Sequence, residues 1–280
     1  YKNKYQLLDV TCKKCGKLSL KNIVMLKIAP VCYSCNPKES YGQIQVHEFV
    51  RSLAPDAVMS DRSVLAPKEL DVYVPSKNLA IEYNGLYYHS DLFLDQNYHS
   101  DKSARSSAAG VKLFHVFEDE WRDKRSIIES MIRSRLGKNT IHCGARKCEI
   151  ITLDSKQRRE FFESNHIDGD VLASRTFALC DDDNIVAAMS LRTPRHAKHL
   201  AMLEIARFCS RLNTTVPGAL SRLAKRSLAH AQEIGREGLI SYVDSRLGSG
   251  GESYVAAGFN KLSLTKRRFW WTDFENRFDR

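Results

Sequence analysis

Residues 69–89, ELDVYVPSKNLAIEYNGLYYH, carry two carboxylates, an amide and an imidazole along two strand-like runs, a set of groups suited to metal-dependent phosphodiester chemistry. Leu70 to Val74 alternates apolar and polar side chains, Leu79 to Tyr83 is apolar enough to lie inside a sheet, and Pro75 to Asn78 supplies the turn. In such a hairpin the carboxylates of Asp71 and Glu82 converge, and two anions held that close repel unless a cation neutralises them. Hard oxygen ligands favour Mg²⁺, which keeps several waters and uses one or two carboxylates together with a substrate phosphate. A metal so placed polarises a phosphodiester and lowers the pKa of an attacking water. The competing reading makes both carboxylates ordinary strand-end charges on a solvated face. Asn84, Gly85, Tyr87, Tyr88 and His89 follow in a segment that strand propensity does not require, and they shift the weight toward chemistry. His89 is then a candidate general acid or base, against a plain structural histidine.

Cys12, Cys15, Cys32 and Cys35 form two Cys-x-x-Cys pairs sixteen residues apart, the spacing of a tetrahedral zinc site. Gly16 and Pro37 supply the punctuation of the knuckles, and the intervening SLKNIVMLKIAPV is too small for a core of its own, so structural zinc is expected to hold the module folded. Two disulfides in a secreted chain are the alternative. Cys143, Cys148, Cys180 and Cys209 share no metal-type spacing and read as free, packed thiols in a reducing compartment, with Cys143 and Cys148 the pair to check as further ligands.

At 280 residues, with 43% apolar and 27% charged content, the chain has room for about two cored domains and the composition of a globular protein. No segment approaches the roughly 18 uninterrupted apolar residues of a membrane span, and no secretory signal is visible, so a cytoplasmic location without a membrane partner is expected. The excess of ten basic residues is uneven: +6 over residues 1–40, −1 over 41–138 and +5 over 139–280. Basic flanks around a phosphodiesterase site suit a polyanion such as double-stranded DNA, against the alternative of a surface charged for solubility. Lys13, Lys14, Lys17 and Lys21 in the cysteine module are candidate phosphate contacts, as are Lys266, Arg267 and Arg268 near the end. Phe269, Trp270 and Trp271 beside them suit base or sugar stacking, although the two tryptophans also fit the end of a core strand.

WRDKRSIIESMIRSRLGK reads as a helix, and the Lys, Gly, Asn and Thr cluster near residue 138 marks a boundary. Beyond it the order is a strand (148–153), a helix (155–165), strands over 176–191, a strand (201–208), a helix (218–235), a strand (239–243), then a short helix and a strand, a mixed α/β arrangement. Glu204 and Arg207 stand out as either a buried pair or remnants of a site.

The spacing of Asp71, ten residues, then Glu82, Tyr83 and Asn84 resembles the PD-(D/E)xK nuclease signature with asparagine in place of the lysine. Asp71 and His89, eighteen apart with Gly85 four before the histidine, look like the catalytic strand of very-short-patch repair (Vsr-like) endonucleases, and GVKLFHVFE (110–118) is similar to that family's next core strand. Phage EDxHD homing endonucleases carry ELDVYVP and IEYNGLYYHSD almost as they stand here. The resemblance spans roughly residues 41–125. It implies Glu48 in QIQVHEFVRSL as a helix carboxylate of the site, Asp101 as an acid before the GVKLFHVFE strand, and His99 and Lys102 as phosphate-holding neighbours. The plain alternatives are a helix-surface charge for Glu48 and a helix N-terminal acid for Asp101. Glu82 stands where the repair enzymes lack an acid, so both manners of holding Mg²⁺ stay open.

Residues 145–271, with EIARFCSRLNTTVPGALSRL and SYVDSRLGSGGESYVAAGF, resemble a GNAT-like domain at the C-terminus of phage homing endonucleases, and Tyr254, Gly258 and Phe259 look like that fold's final helix-and-strand motif. Pro217 in NTTVPGAL removes a donor from the loop that cradles acyl-CoA in active members, so the fold is expected to serve DNA recognition and acyl-CoA is not an expected ligand. Together the resemblances imply a zinc ribbon (1–40), a Vsr-like PD-(D/E)xK core (41–138) and a GNAT-like domain (139–280), phage-encoded and working in a bacterial host cell. The expected activity is Mg²⁺-dependent DNA cleavage at a long target site. The alternatives are a repair or defence nuclease of the same fold, an acyltransferase with a degenerate nuclease core, and a non-catalytic DNA-binding protein.

Overall fold

Strands Leu8–Thr11 (β1) and Leu18–Lys21 (β2) pair antiparallel, with Leu8 opposite Lys21, and a short helix Ile23–Ile28 (α1) follows. The computed structural model describes residues 3–28, 32, 35, 40–86, 98–248, 250–265 and 269–278. Two compact units, 1–46 and 47–280, divide the chain inside the next helix, Tyr41–Leu53 (α2). Both are built from mixed helix and strand, and among the described residues no helix is long and apolar enough to cross a membrane.

The larger unit contains two main sheets. The first has the order β3-β4-β5-β6, from Val58–Asp61 (β3), Leu70–Val74 (β4), Leu79–Asn84 (β5) and Lys112–Phe117 (β6). Along β4 the residues alternate buried and half-buried, as the sequence pattern requires of a strand with one covered face. A single 3₁₀ turn, Pro75–Lys77, closes the β4–β5 hairpin, and Asn78 accepts the left-handed conformation at its end (φ 45°), which asparagine tolerates better than most residues. β5 runs parallel to β6, so the chain must cross over between them; helix Tyr98–Ala108 (α3) lies in that crossover. Leu65, Leu70, Ala80, Val111 and Leu113 pack as a cluster within this layer. Helices Glu118–Asp123 (α4) and Arg125–Leu136 (α5) come next, so the single helix expected over 121–138 is broken at Lys124, whose backbone leaves the helical region (φ −125°, ψ 33°).

After Gly137, in the left-handed C-terminal cap of α5, the chain enters the second sheet. Ile141–His142 (β7), Glu149–Thr152 (β8), Ser155–Asn165 (α6), Arg175–Asp181 (β9), Asn184–Arg192 (β10), Met202–Ser210 (β11), Thr214–Thr215 (β12), Ala219–Glu233 (α7) and Gly238–Ser241 (β13) follow the predicted order closely. The five-stranded sheet runs β13-β11-β10-β9-β8, antiparallel except for the parallel β11–β13 pair bridged by α7. Asp154 caps α6, accepting from Lys156 N and Gln157 N at 2.8 Å each while the Gln157 side chain returns to Asp154 N, a reciprocal arrangement worth about 1 kcal/mol. α7 buries Ala219, Leu220, Leu223, Ala224, Ser227 and Ala231, one face at helical spacing, against Phe177, Leu179, Met189, Leu191, Leu203 and Ile205. Phe161 and Phe162 of α6 pack with Leu153, Ala178 and Ala188 in a second apolar cluster.

The change of region expected near residue 138 falls between the two sheets, inside one unit. Gly248 lies so close to β6 that an added Cβ would sit 2.9 Å from Leu113 O, and Arg135 donates to Leu247 O at 2.6 Å. Arg246 reaches Glu120 at 2.9 Å, and Arg277 pairs with Asp119 at 3.0 Å and Glu120 at 2.7 Å. Helix Glu252–Ala256 (α8) is the short helix expected near the end, but the strand expected after it is missing among the described residues. Leu262 and Leu264 are exposed there, and only a two-residue pairing of Trp271–Thr272 (β14) with Arg277–Phe278 (β15) follows. Trp271 is 64% exposed, which rules out the core-strand reading for that residue.

Candidate active site and metal centres

The β4–β5 register sets Val72 opposite Ile81, which places Asp71 across from Glu82 one step further on. Asp71 N donates to Glu82 Oε1 at 3.2 Å, and Tyr83 N donates to Asp71 Oδ2 at 2.8 Å. From α3, Lys102 Nζ makes a short contact with Glu82 Oε2, and both residues are only 2% exposed. In the parallel β5–β6 register His115 stands beside Glu82. A polar line extends from there. Ser103 Oγ donates its single proton to His99 O at 2.9 Å, so it accepts from His115 Nε2 at 2.9 Å, and His115 Nδ1 is left to accept from Asn84 Nδ2 at 3.2 Å. Asn84 is fully buried, and its Oδ1 has no hydrogen-bond partner among the described residues.

Burial pushes the Asp71 carboxyl up to about 6, against the opposing pull of Lys102 and the Tyr83 amide. Burial and the neighbouring Asp71 raise Glu82 further, with Lys102 offsetting only part of the effect. Burial works against the Lys102 ammonium, yet Glu82 and Asp71 outweigh it and hold its pKa above the usual lysine value. Two carboxylates therefore share one ammonium, a charge balance short by one positive unit when all three are ionised. Three of the four carboxylate oxygens are already engaged, Glu82 Oε1 by Asp71 N, Glu82 Oε2 by Lys102 and Asp71 Oδ2 by Tyr83 N, which leaves Asp71 Oδ1 as the oxygen a hard divalent cation would meet first.

Of the predicted catalytic residues, Asp71, Glu82, Asn84, Lys102 and His99 come together; the His99 ring lies 5.6 Å from His115, edge to face. Glu48 and Asp101 are exposed on α2 and α3, and among the described residues no hydrogen bond or ion pair joins either to the cluster. Their expected place in the metal or water shell is therefore not realised through direct contact, because each faces outward from its helix. His89 lies outside the described residues. His115 and Ser103 belong to the cluster although the sequence reading did not nominate them. A lone histidine in the apolar run LFHVF was the available signal.

In the smaller unit the four predicted zinc ligands cluster. Cys12 and Cys35 sulfurs are 3.6 Å apart, Cys15 and Cys32 sulfurs 3.7 Å, and all four lie within 4.8 Å of one another. Gly16 takes a positive φ of 69° and donates to Cys12 O, forming the first knuckle. The sulfur spacing is that of a tetrahedral zinc site. Contact with Cys15, together with burial, raises the Cys35 thiol to about 12, whereas backbone amides of Cys15 and Lys14 lower Cys12. Lys13, Lys14 and Lys17 are exposed around the knuckle, while Lys21 is buried and so is withdrawn as a phosphate contact. Pro37, Lys266, Arg267 and Arg268 lie outside the described residues.

Glu204 is buried, but its partners are Arg192, at 2.9 Å from Nε, and the backbone N–H of Arg195; Arg207 instead donates to Gly169 O at 3.0 Å. The two do not form the pair the sequence raised. Comparison with family models, with curated proteins and with solved structures returned no match.

Proposed function

We propose that this protein is a Mg²⁺-dependent DNA endonuclease of the homing type, with a zinc ribbon, a Vsr-like PD-(D/E)xK core and a GNAT-like domain that helps choose the target. The observation that carries the reading is the buried Glu82–Lys102 pair with the half-buried Asp71 carboxylate against it, since so much charge in a sheet is costly without a function. Asp71 and Glu82 would hold Mg²⁺, which supplies a polarised phosphodiester and a water of lowered pKa. Lys102 fixes Glu82 and pulls it part of the way back toward its ionised form. His115, held by Ser103, fixes the Asn84 amide on the strand that carries Glu82. His99 contacts the scissile phosphate, and His89 takes the proton from the attacking water or returns one to the leaving oxygen. Glu48 and Asp101 act, if at all, through intervening water, because each is exposed. Double-stranded DNA is the partner that the exposed Lys13, Lys14 and Lys17 suit, together with the basic Lys266, Arg267 and Arg268.

Full-length protein incubated with long duplex DNA and Mg²⁺ is expected to nick or cut it at few positions. Glu82→Gln, which keeps shape and removes charge, is expected to lower the rate about 10²–10³-fold, several kcal/mol of barrier. Unchanged scission by that variant would remove the assignment. Scission favouring mismatched duplex over one long sequence would move it to the repair alternative.

A further inference from the structure

A second cluster of ligand-type side chains lies at the β8 edge of the second sheet. Cys143 follows β7, Cys148 precedes β8, and one 3₁₀ turn, Ala145–Lys147, separates them. β8 pairs with β9 so that Glu149 faces Cys180, and this register brings Asp181, the last residue of β9, to both cysteines. Cys143 Sγ lies 3.2 Å from Cys148 Sγ and 3.3 Å from Asp181 Oδ2, and all three ligand atoms fall within 4.8 Å of one another. Both cysteines are buried and Asp181 is half-buried. Among the described residues no Lys, Arg or His pairs with Asp181, so a carboxylate rests against two buried sulfurs with no cation to balance it. In the absence of an ion the Cys143 thiol donates to Asp181, a weak hydrogen bond that leaves the carboxylate's charge unbalanced.

We propose that Cys143, Cys148 and Asp181 bind a second transition-metal ion of the zinc class, with solvent completing the tetrahedron on the half-buried Asp181 side. Sulfurs about 2.3 Å from zinc at tetrahedral angles sit about 3.7 Å apart, so this pair must open by about 0.5 Å. A disulfide requires sulfurs at about 2.05 Å, a closure more than twice as large. Thiolate ligands select a soft or borderline ion over Mg²⁺ or Ca²⁺. Binding releases the two thiol protons to solvent, and affinity falls in acid. The site has a structural task within reach. Backbone N–H groups of Ile141, Cys143 and Ala145 donate in turn to the carbonyls of Asn213, Thr215 and Pro217, at 3.2, 3.1 and 3.1 Å. An ion that fastens Cys143 to β8 and β9 thereby fastens the loop that starts α7. Neither part of the inference depends on the nuclease reading.

Full-length protein purified anaerobically from zinc-supplemented cells is expected to carry two zinc ions per chain by plasma mass spectrometry. Cys148→Ser and the pair Cys12→Ser with Cys15→Ser are each expected to carry one. Because a variant can fail to fold, the wild-type chain stripped of metal is also titrated with Co²⁺. Two saturating steps are expected in thiolate-to-cobalt absorption, the four-cysteine site contributing about twice the intensity of the two-cysteine site. Hydrogen exchange over residues 213–218 should quicken on removal of the second ion alone. A single ion per chain that Cys148→Ser leaves in place, a single Co²⁺ step, or a Cys143–Cys148 disulfide in the anaerobic protein would each overturn the proposal.

Discussion

The two sheets of the larger unit treat charge in opposite ways. In the second, the interior is apolar: Phe177, Leu179, Met189, Leu191 and Leu223 pack together, and the buried Glu204 is answered by Arg192 within the sheet. In the first, Glu82, Asn84 and His115 sit on the strands themselves, and Lys102 reaches in from α3 to neutralise only one of two carboxylates. A sheet that served only as scaffold would fill those positions with Val or Ile and gain stability by doing so. The first sheet thus carries its uncompensated charge in the middle of its strands, whereas the second keeps its own, Asp181, at the end of β9.

The largest expected effect sharpens that contrast. Lys102→Met leaves Glu82 buried without its counter-charge and should cost about 3–5 kcal/mol in urea unfolding without divalent metal. Leu223→Ala in the second sheet should cost a similar 2–5 kcal/mol through its cavity alone. The two differ in rescue: Mg²⁺ should restore part of the Lys102→Met loss, by supplying the missing positive charge, and none of the Leu223→Ala loss. Equal indifference to Mg²⁺ would erase the distinction between the sheets.

A smaller effect follows from Asp71. Its folded pKa, about 6, lies above the ordinary 3.8, so the folded state binds this proton more tightly than the unfolded one. The stability it contributes is complete below about pH 4 and is lost as pH rises through about 6, on the order of 3 kcal/mol in all. Urea midpoints of the metal-free protein should fall across that window, and saturating Mg²⁺ should flatten the fall because metal binds the ionised carboxylates. A midpoint that rose with pH through the same range would contradict the burial of Asp71.

Much of this architecture was legible in the chain. Alternation along Leu70–Val74, the Pro75–Asn78 turn and the apolar 79–83 run define the hairpin, and Cys-x-x-Cys spacing locates the knuckles, because both depend on local periodicity. What escaped depends on register and packing. His115 becomes a neighbour of Glu82 only through the parallel β5–β6 pairing, and nothing local marks Lys102 as buried rather than as one more helix-surface lysine. The outward orientation of Glu48 and Asp101 is likewise set by how their helices lie. The strand expected near Trp271 is, among the described residues, only the two-residue β14 paired with β15 and not a strand of the core. Trp270 instead packs against Phe117 at 5.7 Å, and the Arg277 guanidinium covers the same ring at 3.8 Å.

The central claim, that Asp71 and Glu82 are kept together for a divalent ion and a phosphodiester rather than for folding, is tested most directly by Asp71→Asn. Scission of duplex DNA with Mg²⁺, read beside the unfolding midpoint without metal, should show cleavage lost and the protein made more stable, since a repulsion is removed. A variant that still cuts, or that is destabilised in the absence of metal, would contradict the account.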